Sequence, residues 1–127
     1  MSLADIAYVA VGGVLGAVAR YLVSKALPGS TIPWGTLLVN VLGSFLLSFI
    51  AYSSLTSGLF TREQRLLLAT GFCGSFTTFS TFAYETFALY TEGAVAHAAA
   101  NMALNLVLGF AAVYAGRTLA LMLTARP

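Results

Sequence analysis

The segment Gly71-Phe72-Cys73-Gly74-Ser75-Phe76-Thr77-Thr78-Phe79-Ser80-Thr81-Phe82 decides the fold of this chain. It lies inside a long apolar stretch, yet it contains two glycines, five hydroxyl side chains and four phenylalanines. Glycine lets the backbone leave helical geometry. Irregular backbone at membrane depth is tolerated only where protein or a water-filled cavity surrounds it. The segment therefore predicts a membrane helix that is broken near its middle and built around an ion.

The composition of the chain predicts that the bilayer is its solvent. Of the 127 residues, 59% are hydrophobic and only 8% are charged, whereas soluble domains carry roughly 25% charged residues. The net charge is +2 and the six basic residues are scattered. This pattern argues against nucleic acid as a partner, because nucleic-acid binding needs a clustered basic surface. The first apolar stretch is too long for a signal peptide, so we expect it to be retained as the first span.

Four stretches are long and apolar enough to cross a membrane, because one helical crossing needs about 20 such residues. They cover residues 6–27, 33–55, 62–90 and 94–123. Thr61 and Gln64 have capping-box spacing, which marks the start of the third helix. That helix is longer than one crossing requires, which leaves room for a break at residues 74–77. The connections are short, so we expect residues 1–127 to form a single all-α membrane domain.

Small residues recur at helix-packing spacing. Gly12 and Gly16 share a face of the first span with Arg20, and Gly109 and Gly116 recur in the fourth. Such faces let membrane helices approach closely. Because four helices hardly enclose a pore and also pack it, we expect a homodimer.

Basic residues specify the orientation of the chain only weakly. If both termini lie on one side, that side carries Arg62, Arg65, Arg117 and Arg126, and the other carries Arg20 and Lys25. The positive-inside rule then favours cytoplasmic termini. The difference is only a few charges, so insertion in both orientations stays open.

Arg20 and Asn40 are polar residues inside predicted spans, where polar groups are costly and commonly functional. Arg20 either snorkels to the interface from the last turn of its helix, or attracts an anion or holds the helix break. The Asn40 amide has two hydrogens to donate. It either replaces water around an anion or joins two helices, and its position near mid-membrane favours the ion pathway.

Phe79 and Phe82 are three residues apart and share one helical face. An aromatic ring has an electropositive edge, so ring edges in a pore can stabilise an anion, although the spacing alone is more typical of core packing. The neighbouring hydroxyls of Ser80 and Thr81 favour the pore. The N-terminal end of the half-helix after a break also favours an anion, and carbonyls freed at the break can hold a small cation such as sodium.

Glu85, Asn101 and Asn105 complete the polar candidates. A carboxylate on an anion path repels the ion unless it is protonated or displaced, so Glu85 is either a gatekeeper or a helix-packing residue. Asn101 and Asn105 lie one turn apart in the fourth span, and they either line a path or join helices. With one His and one Cys in the chain, no nucleophile lies near a base in sequence, and we expect no enzyme activity.

Three motifs follow one another along the first three spans. They are Gly12-Gly13-Val14-Leu15-Gly16-Ala17-Val18-Ala19-Arg20-Tyr21, then Gly35-Thr36-Leu37-Leu38-Val39-Asn40-Val41-Leu42-Gly43-Ser44-Phe45, then the segment quoted first. In this order and at these positions the chain resembles the Fluc (CrcB) family of microbial fluoride channels, and the resemblance covers nearly its whole length.

The resemblance implies an antiparallel, dual-topology homodimer with two separate pores, which exports fluoride passively across the inner or plasma membrane. It implies a structural sodium ion on the two-fold axis, held by the main-chain oxygens of Gly74 and Thr77 in both subunits. The residues that it assigns to the ion pathway are Asn40, Phe79, Phe82, Ser80, Thr81, Arg20, Asn105 and Glu85. The fourth span departs from the family, which often has a tyrosine and small hydroxyls where this chain has Asn101, Asn105 and Gly109.

The physics of fluoride agrees with these residues. Fluoride is small and tightly hydrated, so a selective pore must supply close donors that still release the ion. The alternative is a proton-coupled small multidrug exporter, which is similar only at the level of the fold. Such an exporter needs a carboxylate in its first span, where this chain has Arg20, while Asp5 lies at the terminus. A membrane subunit without a transport role leaves the polar third span unexplained.

Overall fold

The computed structural model describes residues 2–29 and 31–124, and every regular element in this part of the chain is a helix. The elements are α1 Leu3–Ala26, α2 Trp34–Ser57, α3 Arg62–Arg65, a π-helix Leu66–Cys73, α4 Gly74–Phe76, α5 Phe79–Thr91 and α6 Val95–Thr124.

Four helical stretches in the described residues have the length and composition of membrane crossings. They are Leu3–Ala26, Trp34–Ser57, Arg62–Thr91 and Val95–Thr124. Each end lies within three residues of the end predicted from sequence, so long apolar helices are found at the four predicted places. Arg126, which entered the orientation argument, lies outside the described residues.

Two side-chain caps fix the starts of the first and third spans. The Thr61 hydroxyl accepts from the Gln64 amide nitrogen at 3.2 Å, and the Gln64 side chain accepts from the Thr61 nitrogen at 2.9 Å. This is the predicted capping box. Ser2 and Asp5 form a second capping box at the start of α1. Arg62 donates to both carboxylate oxygens of Asp5, at 2.6 and 2.8 Å, so the two helix starts are joined.

The glycine face of α1 packs directly on the π-helix. Gly12 and Gly16 are buried. A methyl group added at Gly12 would lie 2.9 Å from the Phe72 nitrogen, and one at Gly16 would lie 3.0 Å from the Phe72 carbonyl carbon. The small-residue packing predicted for this face is confirmed. In α6, Gly116 packs on the Phe45 backbone of α2, whereas a methyl group added at Gly109 would have no described atom within 4 Å apart from its chain neighbours and the backbone of its own helix.

The regular helix stops at two threonines, and not at a glycine. Gly74 is helical, with φ −61° and ψ −30°. Thr77 and Thr78 are extended, with ψ of 157° and 114°, and α5 begins at Phe79. Of the residues 74–77 expected to carry a break, only Thr77 leaves helical geometry. Glycine permits irregular backbone but does not require it, and at Thr78 side-chain hydrogen bonds stabilise the extended conformation.

The remaining core lies between α2 and α6, with α5 packed on α6. Cys73 is 1% exposed and acts as a small packing residue, as predicted. Large apolar side chains are exposed along α1 and α6 in particular. This distribution is typical of helices whose outer faces contact lipid or a further protein chain.

Candidate functional site

A groove of about 300 Å³ lies beside the extended threonines. Residues from α2, α5, α6 and the extended pair line it together, including Asn40, Thr77, Thr78, Phe79, Phe82 and Asn105. Four of the eight predicted pathway residues are thus brought to one place. They come from three parts of the sequence, and the packing of α2 on α6 and of α5 on α6 unites them.

Asn40 holds the extended backbone of Thr78 from both sides. Its Oδ1 accepts from the Thr78 nitrogen at 2.8 Å, and its Nδ2 donates to the Thr78 carbonyl at 3.3 Å. The second hydrogen of Nδ2 goes to Asn105 Oδ1 at 3.0 Å. Both amide hydrogens are therefore used within the chain. To donate to an ion, Asn40 must give up one of these bonds.

The rings of Phe79 and Phe82 are neighbours at the start of α5, as their spacing predicts. Their centroids are 5.9 Å apart and their planes are inclined by 57°. Phe79 is 80% exposed, whereas Phe82 is half-buried. An aromatic ring so exposed has most of its surface available to lipid or to a further protein chain.

The hydroxyls of Ser80 and Thr81 both lie within hydrogen-bonding distance of the Thr78 hydroxyl. The Thr78 hydroxyl accepts from the Thr81 nitrogen at 3.2 Å and donates to the Thr81 hydroxyl at 3.0 Å. The Ser80 hydroxyl lies 3.4 Å from it. Thr78 is therefore the N-cap of α5. Neither Ser80 nor Thr81 lines the groove, so these hydroxyls lie beside it.

Glu85 lies at a different cavity. Its Oε1 accepts from the Thr36 hydroxyl at 3.0 Å, and its buried Oε2 has no hydrogen-bond partner among the described residues. It lines a cavity of about 290 Å³ at the end of α1 and the start of α2, together with Ser24, Tyr84 and Glu92.

Arg20 and Gly74 are not brought to the groove. Arg20 is half-buried on α1 and lines neither cavity. Gly74 is exposed, and a methyl group added there would have no described atom within 4 Å apart from its chain neighbours and the backbone of its own helix. Neither of these two predicted residues lines the groove.

Sequence reasoning missed Thr86 and assigned no site role to Thr78. Asn101 is fully buried and donates to the Thr86 hydroxyl at 2.9 Å. The four-residue spacing of Asn101 and Asn105 predicts that they share a face of α6. The partner of that face on α5 depends on how the two helices pack, which the spacing does not specify.

Comparisons with known proteins place the chain in a family. The family model described as CrcB-like protein, Camphor Resistance (CrcB), matches residues 7–117. A fluoride-specific ion channel FluC of Methanocaldococcus jannaschii is 48% identical over 92% of this chain and 94% of its own length. The protein of the same name from Chlorobaculum tepidum is 46% identical over 94% of this chain and 97% of its own length.

A third relative of that name, from Pyrococcus furiosus, is 48% identical over 94% of this chain and 98% of its own length. These relatives are named ion channels, so the family is one of transport proteins and not of enzymes. Four apolar helices make the chain a multi-pass membrane protein. The resemblance seen in the three sequence motifs is confirmed: the chain belongs to the CrcB family.

Proposed function

We propose that this chain is a passive, fluoride-selective channel that exports fluoride from the cytoplasm across the inner or plasma membrane. The observation that carries the proposal is the groove in which Phe79 and Phe82 stand beside the N-terminus of α5. The names of its relatives point to the same ion.

The start of α5 suits a small anion. The first turn of a helix has backbone N–H groups without helical partners, and the helix dipole favours negative charge there. The Thr81 nitrogen is bonded to the Thr78 hydroxyl, which leaves the Phe79 and Ser80 nitrogens as the donors of that turn. Two electropositive ring edges add to them. None of these groups carries a full positive charge that would trap the ion.

We place the extended Thr77 and Thr78 at mid-membrane, as the break of the third crossing. Irregular backbone at that depth needs protein around it. Asn40 meets this need, because its side-chain amide hydrogen-bonds both the nitrogen and the carbonyl of Thr78. A second copy of the chain covers the exposed Phe79 and closes the groove. We propose an antiparallel, dual-topology homodimer with two pores, in which Ser80, Thr81, Arg20 and Glu85 extend each path beyond the groove.

A sodium ion fits the carbonyls near the extended pair. In an unbroken helix the Thr78 nitrogen would donate to the Gly74 carbonyl, but here it donates to Asn40. The Thr81 nitrogen likewise donates to the Thr78 hydroxyl and not to the Thr77 carbonyl. Both carbonyl oxygens are thus released from helical bonds, and oxygens are the ligands of hard cations. We propose that Gly74 and Thr77 of both protomers hold a structural sodium ion.

Sodium is expected to stabilise the dimer against thermal unfolding. A ligand that binds only the assembled state stabilises it by about 2.7 kcal/mol at 100 times its Kd. We expect the thermal midpoint of the purified dimer to rise with sodium concentration. N-methylglucamine chloride at equal ionic strength is the control. Equal midpoints in the two salts would remove sodium from the proposal.

Fluoride efflux tests the function itself. The protein is reconstituted in liposomes loaded with potassium fluoride, valinomycin is added, and a fluoride electrode follows release. Vesicles loaded with chloride are the control. We expect rapid fluoride release and little chloride release. Absence of fluoride release, or proton-dependent uptake of a cationic drug, would refute the channel. A multidrug exporter would also need a free carboxylate in its first span. In this chain the Asp5 carboxylate is paired with Arg62.

A further inference from the structure

We infer that Asn101 is a positioning residue of the proposed channel. It belongs to a chain of hydrogen bonds, here called the amide relay, that runs from the buried Thr86 and Asn101 through the half-buried Asn105 and Asn40 to Thr78. The relay contains all three asparagines of the sequence. The inference rests on the proposed function, because the relay ends at the backbone next to the pore phenylalanines.

The relay begins on α5, directly behind Phe82. The Thr86 hydroxyl donates its single hydrogen to the Phe82 carbonyl at 2.7 Å. Towards Asn101 it can therefore act only as an acceptor, and Asn101 Nδ2 donates to it at 2.9 Å. This sets the orientation of the Asn101 amide, with nitrogen towards α5 and oxygen towards Asn105.

The backbone of α6 fixes the direction of the hydrogen bond between Asn105 and Asn101. Asn105 Nδ2 donates to the main-chain carbonyl of Asn101 at 3.0 Å and to its Oδ1 at 3.1 Å. A main-chain carbonyl is only an acceptor, so the Asn105 nitrogen must face Asn101. The Asn105 oxygen then faces Asn40 and accepts from it at 3.0 Å.

The orientation that the relay gives Asn40 is the one that the Thr78 backbone requires, because the Thr78 nitrogen can only donate and its carbonyl can only accept. With Nδ2 directed to Asn105, Asn40 Oδ1 is the atom that accepts from Thr78. Thr78 is the N-cap of α5 and Thr86 lies two turns later on the same helix. The relay therefore holds α5 at both positions against α2 and α6, and the rings of Phe79 and Phe82 lie between them.

Asn101 is too deeply buried to contact an ion in the groove. Asn101 is 0% exposed and does not line the groove, whereas Asn105 does. Its amide therefore acts through Asn105 and Asn40. Removing an acceptor from such a chain leaves a buried donor unpaired, which is unfavourable. The neighbouring amides then reorient, and the displacement reaches Thr78.

Thr86→Val tests this inference because it keeps the branched shape and removes only the hydroxyl. We expect fluoride efflux to fall at least about fivefold and the fluoride-to-chloride ratio to fall with it. Thr86→Ser restores the hydroxyl and should restore both. Thr118→Val is the matched control and should change neither quantity, since among the described residues that α6 hydroxyl bonds only the Tyr114 carbonyl of its own helix.

Side-chain amide NMR gives a second measurement that does not need a functional variant. Selective ¹⁵N labelling of asparagine in the native dimer yields three NH₂ pairs, and we expect those of Asn101 and Asn105 to exchange slowly with D₂O. Rapid exchange of all three pairs would overturn the relay. So would a folded Thr86→Val dimer with native efflux and selectivity. A native protein that releases no fluoride refutes the proposed function instead, while slow exchange would still support the relay.

Discussion

Phe79→Ile and Phe82→Ile are each expected to lower fluoride efflux about tenfold while leaving the dimer intact. The two rings are 5.9 Å apart at the groove, and isoleucine keeps apolar bulk but has no electropositive ring edge. A tenfold loss corresponds to about 1.4 kcal/mol on the barrier to conduction. Because the rings touch each other, the double variant should lose less than the product of the two single effects.

The measurement is the rate of fluoride efflux from vesicles with matched protein content, after gel filtration has shown an unchanged dimer. Phe87→Ile is the control, because Phe87 is also exposed on α5 but does not line the groove. Its efflux should stay at the native rate. Native rates in both Phe79→Ile and Phe82→Ile would remove the rings from the conduction mechanism.

Gly12→Ala is expected to lower the free energy of unfolding by about 1–3 kcal/mol or more, because overpacking a tight core is destabilising. The added methyl group meets the backbone of Leu67 and Phe72 and not the flexible end of a side chain. The π-helix must then move away from α1. That helix continues through α4 to the extended threonines, so the displacement is directed at the groove.

Unfolding of the detergent-solubilised protein by increasing fractions of SDS measures this effect, with helix content followed by circular dichroism. Gly109→Ala is the matched control, because the added methyl group would meet no described atom of another helix within 4 Å. Its midpoint should remain close to that of the native protein. If the two variants unfold at the same point, close packing of α1 on the π-helix does not determine stability.

The sequence alone determined where the four long helical stretches of this protein lie. Four apolar stretches specified the crossings to within three residues, because the length of a crossing follows from the thickness of the bilayer. Thr61 and Gln64 specified a helix start, because a capping box is made within one turn. Gly12 and Gly16 specified a packing face, and the three motifs specified the family. Each of these signals is local or is carried by composition.

Only the tertiary structure decided which polar residues lie together at the groove and which lie elsewhere. Asn40 and Asn105 are 65 residues apart in the chain, yet they are hydrogen-bonded at the groove, whereas Glu85 is bonded to Thr36 at another cavity. The interruption falls at Thr77 and Thr78 because Asn40 on α2 satisfies the Thr78 backbone. Such pairings depend on the relative rotation and depth of whole helices, which small-residue packing against the backbone sets and which no spacing within one helix specifies.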